Sequence, residues 1–183
     1  MGSDSAAEYS TEQVQGTEEP SSSGDSGHGQ GGHISQEAQQ QQSLVILVFR
    51  ADPIDAPQYR HTALLIEQPD QDGSGTQNRV VEVIGTAGIF ERSEEVICDP
   101  RQNTSFVGSV PVATIPVISP SDTRLRDVIW STAIDNEDNS WNSQNWVGDA
   151  LNLCVGYKLI SSDESDRAID GMVDLVLQAQ DVA

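Results

Sequence analysis

The sequence predicts an α+β domain, an antiparallel sheet of about four to five strands packed against about three helices. Three observations lead there. Residues 1–42 contain no Lys or Arg and, beyond Val14 and Ile34, almost no branched apolar residues. Residues 43–115 carry short apolar, β-branched runs separated by Gly- and Pro-containing turns. Beyond residue 119 the apolar residues recur every three to four positions, the helical period.

Taken in order, residues 1–42 form a Ser/Gly/Gln/Glu tail ending in the run Gln39–Gln42, too poor in apolar surface to offset its ordering entropy, and read as disordered. The foldable part is 43–183, a single domain. SLVILVFR, 43–50, is a buried strand that Pro53 and Pro57 bring to an end. RHTALLIE, 60–67, and VVEVIG, 80–85, form a hairpin across the polar turn 69–79. Residues 89–97 and 105–115 are further strands, the second interrupted by Gly108 and Pro111. Ser119-Pro120 opens a helix to about Ile134 that buries Leu125, Val128, Ile129 and Thr132. A loop at 136–140 precedes a helix over 143–155. The acidic stretch 161–166 then caps a last helix with Ile169, Met172, Val173 and Val176 on one stripe.

The formal charge is −20, from 29 acids and nine bases. Seven acids and no bases fall in the tail, which leaves −13 for the domain. So acidic a surface repels phosphate backbones and anionic lipid, so neither nucleic acid nor a membrane surface is an expected partner. There is no apolar run long enough for a membrane span, and the N-terminus lacks the pattern of a signal peptide. Cys98 and Cys154 do not make a disulfide framework or a metal-site spacing, so an intracellular setting, cytoplasmic or nuclear, is expected. No cofactor or metal is expected. Asp70-Gln71-Asp72-Gly73 is only a fragment of a calcium loop, without its closing Glu.

The chemistry concentrates in SWNSQNWVGDAL, 140–151. Trp146, Val147, Ala150, Leu151 and Cys154 share one helical face, and Ser143 lies on that stripe in the first turn. There the helix dipole favours an anion, and free backbone N–H groups can hold an oxyanion. A thiol at such a place is activated, whereas a hydroxyl needs a true general base. Asn142 and Ser143 are equally good N-caps, so capping stands beside catalysis as a reading. Cys154 reads as a small core residue. His61 is the one histidine outside the tail, which holds His28 and His33. It is either a structural strand residue or a base needing an orienting partner. Closing the hairpin at Glu67 and Val80 sets His61 opposite Thr86 and leaves Glu82 out of its reach.

A strand histidine followed late in the chain by Asn-X-Gln-X-Trp at a helix start resembles the permuted papain-like group. That group includes cell-wall peptidases and lecithin:retinol acyltransferase-like enzymes. RHTALLIE, VVEVIG, FERSEE and WNSQNWVGDAL look closer still to an uncharacterised set of fungal proteins with an Asn-Cys-Gln-Asn-type segment, over residues 44–155. The resemblance implies a permuted papain-like fold, His61 as base, position 143 as nucleophile, and Asn142 and Gln144 as oxyanion or positioning residues. This chain departs from the pattern: Ser143 stands where the thiol belongs, and no second histidine lies on 80–85. The expectation is a cysteine-hydrolase or acyl-transfer scaffold that is inactive as it stands. The alternative is a non-catalytic module in which an acidic tail and degenerate pocket bind a protein or peptide partner.

Overall fold

The computed structural model describes residues 40–70, 75–119 and 121–178, all within the unit Gln36–Ala183. The expected tail, through residue 39, and most of the calcium-loop fragment lie outside the described residues. The chain is α+β, with five strands and three helices among the described residues: β1 (Gln41–Phe49), β2 (His61–Pro69), β3 (Thr76–Ile84), β4 (Glu91–Ile97), β5 (Phe106–Pro116), α1 (Arg124–Trp130), α2 (Ser143–Gly156) and α3 (Ser162–Leu177). The strands form one antiparallel sheet in the order β4-β3-β2-β1-β5.

Strand alternation gives the sheet two apolar faces. Leu44, Ile46, Val48, Leu64, Ile66, Val81 and Val83 face the helices and share a core with Leu125, Ile129, Trp146, Val147, Ala150, Leu151 and Met172. The opposite face carries Val45, Leu47, Phe49, Ala63, Leu65 and Val80. It is covered by the connection from β4 to β5, which must cross the sheet because those strands lie at opposite edges. Residues 98–105 make this strap. Pro100 is buried in it, and Arg101 bonds Glu67 across the face at 2.8 Å.

The elements differ from expectation in instructive places. Gln41 and Gln42 belong to β1 rather than the tail, because β5 runs far enough to pair with them through Pro116 and Ile115. The polar stretch 76–79 is strand, since its backbone pairs with 66–69 whatever its side chains. Pro111 does not end β5. The ladder shifts register beside it, between Leu44 and Val45, as a bulge at an edge strand allows. The helix expected from Ser119 begins only at Arg124, because the Asp122 carboxylate takes the N–H groups of Ile118 and Arg124 and holds a turn. It stops at Trp130, so Thr132 is buried but outside the helix, and Val128 is half-buried. On α3 the inward stripe is Ser165, Ala168, Met172 and Val176, with Ile169 half-buried and Val173 exposed. The polar Ser165 and small Ala168 face the sheet because α3 packs closely on β5, where Gly171 faces Val110 and Gly108 faces Leu175. Among the described residues no helix is long and apolar enough to cross a membrane.

Candidate functional site

The first turn of α2 meets the start of β2. Asn142 is the N-cap: its side chain accepts from Gln144 N at 2.8 Å, and Asn145 Oδ1 accepts from Asn142 N at 3.1 Å, completing a capping box. Trp146, Val147, Ala150, Leu151 and Cys154 are all fully buried, and each large member contributes about 1.5–3 kcal/mol relative to exposure. This packing seats Ser143, itself 5% exposed, against the sheet. Its Oγ accepts the backbone N–H of Thr62 at 3.1 Å. That N–H needs such a partner, because the β2–β3 ladder runs only as far as Leu64↔Val81 and the strands part beyond it.

His61 precedes Thr62 and opens β2. Neighbouring strand residues point to opposite faces, so its imidazole lies on the strap-covered face, stacked on Phe49 with ring centroids 6.0 Å apart. Its Nε2 lies 2.6 Å from Glu82 Oε2. Since a carboxylate only accepts, Nε2 carries the shared proton when Glu82 is ionised, and in the neutral ring that leaves the lone pair on Nδ1. This corrects the hairpin register. The pairs Leu64↔Val81 and Leu65↔Val80, continued, set His61 opposite Ile84 and make Glu82 its diagonal neighbour on the same face. The turn is two residues tighter than the hydrophobic pattern suggests, so Glu82, set aside by sequence reasoning, is the carboxylate that holds the ring. The polar strand residues 76–79 were the signal that could have revealed it, because extending β3 backward through them moves the register.

The structure brings His61 and Ser143 to within one peptide group of each other along β2 and does not join their side chains. Among the described residues the Ser143 hydroxyl bonds Thr62 N, and the imidazole bonds Glu82. Asn142 and Gln144 are not free to bind an oxyanion. The Asn142 side chain caps the helix, and its hold on Gln144 N–H occupies one of the expected oxyanion donors. The Gln144 side-chain amide donates to Pro57 O and Arg60 O.

A cavity of about 290 Å3 opens beside the His61–Glu82 pair, between the splayed strands and the strap, lined also by Phe49, Arg50, Val80 and Asp99; Ser143 does not line it. A larger one, about 580 Å3, lies at the β1–β5 bulge and touches none of these residues. The smaller is the one that bears on the chemistry, because it contains the paired imidazole. Cys154 is buried on α2, and loss of solvent pushes its thiol up to about 12, which suits a core residue. Among the described residues no cluster of His, Cys, Asp and Glu is placed to hold a metal ion. No family profile, curated protein or solved structure matches this chain.

Proposed function

We propose that this domain is a hydrolase or acyl-transfer scaffold of papain-like type, catalytically silent in this chain because serine occupies the nucleophile position, 143. The observation that carries the reading is the assembly at one strand end. A first-turn helical residue bonds the peptide following His61, and Glu82 holds Nε2 of that histidine. A base oriented through one nitrogen and free at the other is the arrangement general-base catalysis needs. A thiol at 143 would gain from the helix N-terminus and from a nearby imidazole. The serine hydroxyl starts from a far higher pKa, and among the described residues its O–H makes no bond to His61.

Carried onto these atoms, the reaction would begin with proton transfer from position 143 to His61 Nδ1, followed by attack on an acyl carbon. The imidazole, now on the strap-covered face, would first have to leave Glu82 and swing around the end of β2 toward Ser143 on the helix side. The test is Ser143→Cys in a Cys98→Ser background, which removes the exposed native thiol. The introduced thiol should be alkylated by iodoacetamide at pH 7 at least about tenfold faster than an ordinary cysteine, whose pKa is about 8.5. His61→Ala should abolish the advantage. An equally slow thiol with and without His61 would end this reading.

The second reading is a non-catalytic module that binds a protein or peptide, and one observation favours it: all three side chains 142–144 are engaged in structural hydrogen bonds. On that reading the introduced thiol behaves as an ordinary buried cysteine.

A further inference from the structure

The first turn of α2 grips the two peptide groups on either side of His61. Ser143 Oγ accepts the N–H that follows it, from Thr62, and Gln144 Nε2 donates to the carbonyl that precedes it, of Arg60, at 3.1 and 3.0 Å. The other N–H of the same amide reaches Pro57 O at 2.8 Å and so fixes the 3-10 turn Pro57–Tyr59 that leads into β2. The sheet holds this strand end on one side only. β1 pairs with it through Phe49↔His61, whereas the β2–β3 ladder ends at Leu64↔Val81. A residue at a strand end with one ladder is prone to fraying, and the imidazole keeps its bond to Glu82 only while its backbone stays in place.

We infer that Gln144 is a positioning residue for His61: by donating to the Arg60 and Pro57 carbonyls it anchors the open side of the strand and aims the imidazole at Glu82. An amide suits this work because it offers two N–H donors at fixed angles, and both are used. Of the two roles the resemblance implies for Gln144, oxyanion or positioning, it thereby takes the second and exerts it through the backbone of the histidine. The inference takes the role of His61 as a base from the proposed function, but the positioning itself is measurable without any reaction.

The experiment uses the full chain with 15N-labelled histidine. The His61 ring signals are assigned by their loss in His61→Ala, and solvent exchange of the imidazole proton bonded to Glu82 is followed by NMR. Gln144→Met keeps the length and removes both donors, and should accelerate that exchange about tenfold or more, as the loss of two net hydrogen bonds implies. Gln144→Asn keeps the donors but is one methylene too short to reach both carbonyls, so it should act similarly and serves if the Met variant does not fold. Met172→Val loosens the core at a distance and should leave the rate within about twofold. The inference is overturned if both Gln144 variants leave the exchange unchanged, or if Met172→Val accelerates it as much. A Gln144-dependent imidazole together with an inert Ser143→Cys thiol would keep the positioning and remove the catalytic reading. A reactive thiol with an imidazole indifferent to Gln144 would do the reverse.

Discussion

Replacing Ser143 with alanine removes the partner of the Thr62 N–H and almost nothing else. The cap is unaffected, because Asn142 supplies it. The site is 5% exposed at Ser143 and fully buried at Thr62, so water does not readily replace the hydroxyl. A buried N–H left without an acceptor costs about 1–3 kcal/mol. The strand cannot recover the bond by re-pairing, because β3 has already parted from β2 at this level. We therefore expect a loss of about 2 kcal/mol, which for a domain of this size lowers the thermal midpoint by roughly 6–8 °C. Urea unfolding should show a lower midpoint with the slope unchanged, and the Thr62 amide should lose its protection against hydrogen exchange. Ser143→Cys should fall between, since sulfur accepts only weakly. A variant within about 0.5 kcal/mol of the parent, with Thr62 still protected, would refute the reasoning.

Three further outcomes follow from the packing and the charges. Cys154, with its thiol raised to about 12, should stay unmodified by iodoacetamide at pH 7 while exposed Cys98 reacts; mass spectrometry separates the two, and fast modification of Cys154 would mean that α2 opens readily. Gly171→Ala should destabilise α3 by about 1 kcal/mol, because its new Cβ would lie 2.9 Å from Val110 Cγ1 and overpacking outweighs the gain in helix propensity. Adding Val110→Ala should remove the clash itself, and a stabilised single variant in urea melts would show that the gap is larger than it looks. The Arg124 guanidinium beside Asp122 and that of Arg60 beside Asp55 hold both carboxyls below the usual carboxylate range. Depressed folded pKa values give stability that is complete above the unfolded value of about 3.9 and lost as pH falls through the folded ones. Urea midpoints should therefore be level from pH 7 to about 5 and fall below about 4, less steeply in Asp122→Asn; a fall already complete at pH 5 would place the sensitivity in other groups.

How far the sequence could be read depended on which force set each feature. The strands that face the helices were legible because burial is written directly into runs such as Leu44 to Val48 and Leu64 to Ile66. The inward face of α2 was legible for the same reason, down to Ser143 in its first turn. Features set by the backbone or by a partner distant in sequence were not. Gln41 and Gln42 look like tail and become strand only because β5 is long enough to pair with them. The short α1 turns on one Asp122 carboxylate that captures two N–H groups in a turn. The site shows the same division. His61 and Ser143 could be picked out by residue type and place, but their relation depended on strand register. A two-residue error there hid Glu82. The resemblance implied an oxyanion or positioning role for Gln144 but not its partners, which are carbonyls 84 and 87 residues away.

The account rests on position 143 being a nucleophile site that His61 serves, and the pH dependence of one thiol tests it most directly. In Ser143→Cys with Cys98→Ser, the alkylation rate should already be near its plateau at about pH 6, as for a thiolate stabilised by a helix N-terminus and a protonated imidazole. With His61→Ala added, the rise should move to the ordinary thiol range near pH 8.5. A rise near pH 8.5 or higher in both proteins would contradict the account and leave Ser143 as the hydrogen-bond partner of a strand end.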